Sequence, residues 1–263
     1  MVRPTMADES LRLWLARKLI GRIVARAARR GLATRGLRDT EGREIRWLAP
    51  EIEAFVVAMT AEAIRLRPYA QQAELPTFGS RLMVEMAIWT MAADRSLRAC
   101  GIAPETARQV VADLGWDIYR RMLALSALPV RLLTRDSGRR LRWTIRALLV
   151  FPFAPSGAPG YAVRVSRDGD DLLTDFTHCP PQSFVRRIAR AQDDPDSLEA
   201  FRQSWCRYDW PGADVIAGDG ARGHYRRRRT LSHGDPVCDM CWIGKASRDA
   251  ISGQEDRDEP AAS

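Results

Sequence analysis

The chain has 263 residues, 46 % of them hydrophobic, enough to bury a sizeable core in one large domain or two small ones. Its formal net charge is +8, yet of the 41 basic residues only Lys18 and Lys245 are lysine, and the arginines are spread along the whole sequence. A nucleic-acid footprint requires clustering on one face, so the charge alone does not make a nucleic-acid binder.

Five cysteines, an odd number, suit a reducing cytoplasm better than a disulfide framework. Charges at Asp8, Glu9, Arg12, Arg17 and Lys18 interrupt any signal-peptide core. No uncharged apolar run approaches the roughly 20 residues of a membrane span. The expectation is a cytoplasmic protein with a small-molecule substrate and neither a nucleic-acid nor a membrane partner; self-association stays open.

In chain order, residues 9–30 carry apolar side chains at Leu11, Leu15, Ile20, Ile23, Val24 and Ala27 between arginines, a helical period with Gly31 as a stop. Such a helix either docks on the domain or a second subunit, the favoured reading, or lies on an anionic membrane. A second helix is predicted over 45–66, with Pro50 near its start and Pro68 past its end. A third spans 80–99, where Met83, Met86, Trp89 and Met91 read as core filler. A fourth spans 106–128 after Pro104, and Cys100 reads as a small buried hydrophobe.

From Arg142 the pattern changes to alternation at Trp143, Ile145, Ala147 and Leu149, which reads as extended chain. Tyr161, Val163 and Val165 then alternate with polar neighbours, and Asp168-Gly169 turns the chain into 172–177, giving two antiparallel strands. Residues 180–191 read as a helix, and Ser197 as the cap of another through Trp205 that Trp210-Pro211-Gly212 stops. Segments 224–231 and 237–243 flank the turn at His233-Gly234-Asp235-Pro236 and form a second hairpin. The predicted class is α+β: a helical region over 1–140, an antiparallel α+β region over 141–244, and a polar, disordered tail over 245–263.

Four of the five cysteines and all three histidines fall between Leu172 and Ile243. Cys179 precedes Pro180 at a strand-to-helix junction, where the helix dipole and free backbone N–H groups favour a low-pKa thiolate. Cys206 and Asp209 are three apart, on one face if the helix runs that far, so the carboxylate can take a proton, orient water or bind an ammonium group. Cys238 and Cys241 form a Cys-x-x-Cys, but on a strand they point to opposite faces, Cys238 beside Met240 and Trp242. Zinc held by Cys179, Cys206, Cys238 and one further ligand is an alternative. His233 in the turn is a candidate base, His178 a poorer one. The run Arg226 to Arg229 offers a guanidinium for a substrate carboxylate.

Cys179-Pro180, Cys206 with Asp209, and the set Thr230, Leu231, Gly234, Asp235, Cys238 and Asp239 resemble the motifs of the L-2-amino-thiazoline-4-carboxylic acid hydrolase-like family. These motifs cover the last third of the chain; Met240 and Pro181 stand where that family commonly has aromatics. The resemblance implies hydrolysis of a carbon–nitrogen bond in a small cyclic amidine, opening the ring toward a carbamoyl-cysteine. The site set is then Cys179 as nucleophile with Cys206, Asp209, Cys238 and His233, and Arg228 and Asp235 for substrate binding. No metal is assigned and the cofactor is unknown. The alternative is a non-catalytic module binding a small ligand or zinc through the same cysteines.

Overall fold

The computed structural model describes residues 11–245. The predicted tail beyond Lys245 and the first ten residues lie outside that range.

The first helix, α1 (Leu11–Leu32), runs through Gly31 rather than stopping there. It buries Leu13, Ala27, Ala28 and Leu32 and turns a second apolar stripe outward, with Leu11, Leu15 and Leu19 more than half exposed. A small hairpin, absent from the sequence-based expectation, comes next: β1 (Leu37–Arg38) pairs antiparallel with β2 (Glu44–Ile45). Asp39 shapes its turn by accepting from the N–H groups of Glu41 and Arg43, both at 2.9 Å. Ile45 is therefore strand, and α2 (Ala49–Leu66) begins later, with Pro50 in its first turn. Ile52, Phe55, Val56, Met59, Ala63 and Leu66 form its buried face at helical spacing.

Helix α3 (Phe78–Ala99) is the central one, capped by Thr77, whose hydroxyl accepts from the Ser80 N–H at 3.0 Å. Met83, Ile88 and Met91 are buried on it as core filler, whereas Cys100 just past its end is exposed, against expectation. Its fully buried Glu85 accepts from Arg17 (3.1 Å), Arg67 (2.8 Å) and the Trp89 indole (3.1 Å), tying α1, the end of α2 and α3 together. Helix α4 (Pro104–Leu133) extends past Leu128 with Pro129 inside it.

Residues from Arg142 are helical, not extended, and belong to α5 (Ser137–Val150), capped by Asp136. Its buried Leu141, Thr144 and Ile145 lie three and four apart. The apparent alternation at Trp143, Ile145 and Ala147 was too short to separate the two periods. Residues 140 and 141 both lie inside this helix.

The sheet is antiparallel with order β3-β4-β6-β5: β3 (Ala162–Asp168), β4 (Asp171–His178), β5 (Tyr225–Arg226) and β6 (Cys238–Trp242). Between β4 and β5 come α6 (Pro180–Ala191), α7 (Asp196–Phe201), a five-residue π-helical turn (Arg202–Cys206) and α8 (Asp209–Ala217). The helix of Asp196 starts from Pro195, and the Ser197 hydroxyl donates to Asp194 instead of capping. Trp210-Pro211-Gly212 starts α8 rather than ending a helix, since proline is tolerated in a first turn.

Phe184, Val185 and Ile188 of α6 and Phe201 of α7 join the core made by α2, α3 and α4. A second core lies where α4, α5 and α8 meet Leu172, Tyr225 and Trp242 of the sheet. Helices dominate both halves and flank a small antiparallel sheet, which is an α+β fold. Among the described residues no helix is long and apolar enough to cross a membrane.

Candidate functional site

The strand order brings the separated cysteines together. Cys179 follows β4 in an extended conformation and caps α6, where its carbonyl accepts from the Ser183 N–H at 2.9 Å. Cys238 opens β6 directly opposite Phe176 of β4, three residues before Cys179. Cys206 closes the π-helical turn that α7 runs into. All three line one cavity of about 110 Å³, walled mainly by apolar side chains including Tyr161, Phe176, Trp205 and Trp242. Met240 and Trp242 share the cavity face with Cys238. Cys241 lies outside it, with its sulfur 3.8 Å from Asp171 and 4.0 Å from Arg226.

The Thr-Leu-x-x-Gly-Asp-x-x-Cys-Asp stretch has a structural job beside this cavity. Gly234 takes a φ of +93°, which glycine adopts without a Cβ penalty, to end the short turn Leu231–His233. Asp235 accepts from the Thr230 N–H at 2.7 Å, and Asp239 from those of Arg228 and Arg229 at 2.9 and 2.7 Å. The side chains of Gln182 and Arg186 hold the Leu231 carbonyl from α6 at 3.2 and 2.7 Å. So fixed, the turn donates the Leu231 N–H to Cys238 Sγ at 3.2 Å, places the Thr230 hydroxyl 3.4 Å from it, and sets Ser232 Oγ 3.2 Å from Cys206 Sγ.

A charge pair completes the wall. Asp209 opens α8, beyond the π-helical turn, so it and Cys206 meet at the cavity without sharing one α-helix. Arg227 Nη1 donates to Asp209 Oδ2 at 3.2 Å, and the two side chains are 7 % and 14 % exposed. Tyr225 donates to the same oxygen at 3.3 Å. Arg227 also donates to the Cys206 carbonyl at 3.0 Å and stacks its guanidinium 4.7 Å from the Trp210 ring centre. Burial pushes the Asp209 carboxyl up to about 6, against the pull of Arg227 and Tyr225. Arg227 is held charged, because its negatively polarised neighbours outweigh its own burial.

Burial also acts on the thiols. It carries Cys179 far above the ordinary thiol range, although the Gln182 N–H at the start of α6 pulls the other way. Against the expected low-pKa thiolate at that helix start, desolvation in an apolar cavity exceeds the help of that N–H. Cys206 is pushed up to about 11, restrained by Arg227 and Ser232. Cys238 is raised too, restrained by Thr230 and the Leu231 N–H. In the free site all three are neutral thiols at physiological pH.

Comparison with protein-family models, with curated proteins and with solved structures finds no match.

The remaining predicted residues are placed elsewhere. His233 and Arg228 line a separate small cavity with Arg202, Arg207 and Arg229, on the far side of Arg227. Arg228 falls outside the cavity because the alternation begun in β5 continues past its end: Tyr225 and Arg227 both face Asp209, whereas Arg226 and Arg228 are exposed. Asp235 is spent on the turn, through its bond to the Thr230 N–H. His178 is fixed between the Gly160 carbonyl (2.6 Å) and Ser183 (3.0 Å), and His224 is buried between Ile243 and Asp219. Among the described residues no group of three or more His, Cys, Asp or Glu is disposed to hold a metal ion, so the zinc arrangement of the three thiols has no geometric support.

Sequence reasoning missed Arg227, Tyr119 and Tyr161, all cavity-lining. Arg227 was within the basic run already singled out; the two tyrosines carried no local signal. Tyr161 is 2 % exposed, packed edge-on against Phe153 and Phe176, and burial holds its phenol neutral near Cys179.

Proposed function

We propose that the chain is a hydrolase opening a small cyclic amidine of the 2-amino-thiazoline-4-carboxylate type by cysteine-assisted C–N bond hydrolysis. The observation that carries the reading is the convergence of Cys179, Cys206 and Cys238 on one cavity that also exposes the Asp209–Arg227 pair. A buried pair of opposite charges matches a ligand bearing one of each, here an amidinium and a carboxylate: Arg227 holds the carboxylate and Asp209 the amidinium.

Among the thiols, the proximity of Arg227 and the smaller rise of Cys206 favour Cys206 over Cys179 as nucleophile. In the proposed sequence Cys206 passes its proton to Asp209 as sulfur bonds to the amidine carbon. The ring C–N bond then breaks, its nitrogen taking that proton and leaving as the amine. Water adds to the same carbon, the Sγ–C bond breaks, the sulfur regains a proton and a carbamoyl-cysteine is released. The phenols of Tyr161 and Tyr119 are the neutral donors available to charge developing on the adduct.

The test is release of carbamoyl-cysteine from the amidine by the wild type and by Cys206→Ser, Cys179→Ser and Cys238→Ser. Lost turnover with retained substrate binding in Cys206→Ser upholds the assignment; full turnover in that variant overturns it. A second reading, a non-catalytic ligand-binding module, is favoured by the neutrality of all three thiols. It predicts binding of the same amidine without product. Five free cysteines support our inference of a cytoplasmic location, with a small molecule rather than a nucleic acid or a membrane as partner.

A further inference from the structure

A second cavity, of about 230 Å³, lies in the helical half between α1, α2, α3 and α4. Its lining carries no charged side chain. Its polar atoms are mostly spent: Trp205 Nε1 donates to Thr90 Oγ1 at 3.0 Å, Thr90 to the Met86 carbonyl at 3.0 Å, Trp89 to Glu85 at 3.1 Å, and Tyr208 to the Ala112 carbonyl at 2.7 Å. The space is faced by hydrocarbon, including Met83, Met86 and Ile118. Protein interiors rarely keep an apolar void of this size unfilled, and such voids take apolar ligands rather than water.

Two residues, Tyr119 and Trp205, line both this cavity and the thiol cavity. Trp205 is the immediate neighbour of Cys206, and Tyr119 stacks on Tyr208 with ring centres 5.4 Å apart. The two spaces are thus the two sides of one aromatic partition. At the other end Ile23 and Met122, 43 % and 36 % exposed, mark where the second cavity meets solvent.

We infer that the substrate carries an uncharged alkyl or aryl arm, which crosses the Tyr119–Trp205 partition and lies in the second cavity while its polar head sits by Asp209 and Arg227. The head-group half of this inference rests on the proposed amidine chemistry; the arm half rests on the cavity itself.

Calorimetric titration of the full chain with straight-chain alkyl amidines of increasing length, and separately with 1-hexanol and 1-octanol, tests the two halves apart. Each added methylene tightens amidine binding about three- to fourfold. Ala93→Phe, which fills the second cavity, removes that length dependence and the alcohol binding while acetamidine binding stays unchanged. Ile23→Trp at the solvent-facing end, where the fold has little to lose, does the same. Amidine affinity that is flat with chain length in the wild type, or length dependence intact in both variants, overturns the inference. Alcohol binding that Ala93→Phe abolishes, with no amidine bound at any length, upholds the apolar site and overturns the head-group assignment instead.

Discussion

Replacing Arg227 with alanine separates the electrostatic part of the site from its packing. Its guanidinium lies 3.2 Å from an Asp209 side chain that is only 14 % exposed. Removing one partner of a buried pair costs about 3–5 kcal/mol, since the other charge stays behind uncompensated. The bond to the Cys206 carbonyl and the contact with the Trp210 ring are lost as well, together about 1–2 kcal/mol of that sum. The two parts respond differently to pH. Asp209 ionises at about 6 in the folded chain against an ordinary 3.8, so the folded state holds this proton more firmly than the unfolded one. A raised carboxyl value means that stability falls as pH rises from 3.8 through the folded value, and loss of Arg227 moves that value higher still. At pH 5 the carboxyl is largely protonated with or without Arg227, and the deficit shrinks to the uncharged part, about 1–2 kcal/mol. At pH 8 the variant must either bury a lone carboxylate or keep it protonated, and the deficit grows to about 4 kcal/mol. Urea unfolding followed by tryptophan fluorescence at the two pH values reads this directly. Equal deficits at pH 5 and pH 8 would refute the claim that Asp209 is held ionised by Arg227.

Three further outcomes are expected. The rate kcat/KM for the amidine falls as pH drops below about 6, where Asp209 loses its charge, and Asp209→Asn gives a low rate without that acid limb in a pH-rate profile. Glu85→Ala leaves Arg17 and Arg67 without their shared carboxylate and lowers unfolding free energy by about 3–5 kcal/mol, measured by denaturant titration; Glu85→Gln recovers only part, because it keeps one accepting oxygen of two and loses the charge. Gly79→Ala places a methyl group 2.2 Å from the Pro152 carbonyl oxygen and destabilises by about 1–3 kcal/mol, with weaker ligand binding in calorimetry because Pro152 precedes the cavity residue Phe153.

Local chemistry made much of the fold legible. Pro180 and the spacing of Phe184, Val185 and Ile188 fixed α6 at both ends, and Asp168-Gly169 marked the turn between β3 and β4. The opposite-face placement of Cys238 and Cys241 followed from strand periodicity alone. The failures had tertiary causes. In α5 the arginines at 139, 140, 142 and 146 surround Leu141, Ile145 and Leu148, and a short window around Trp143 showed alternation where the longer one shows helix. The dipole argument for Cys179 was locally sound, but the depth of the cavity decided its protonation, and depth is a property of the packed chain. Arg227 and Arg228 are indistinguishable in a run of four arginines until the phase of β5, with Tyr225 facing Asp209, assigns one to each side of the wall.

The turn Arg202–Cys206 holds one residue more than an α-helical turn accommodates. Deleting Gln203 would let that segment relax into ordinary helix and swing the chain beyond it by roughly 100° about its axis. Both the sulfur at 206 and the indole at 205 would leave their shared positions, so such a shortened protein keeps its circular dichroism and loses the cavity wall that those two residues form. Chain length at one point, and not side-chain identity alone, decides whether this scaffold has an interior worth entering; two sequences with every cysteine in common could differ in that respect by a single codon.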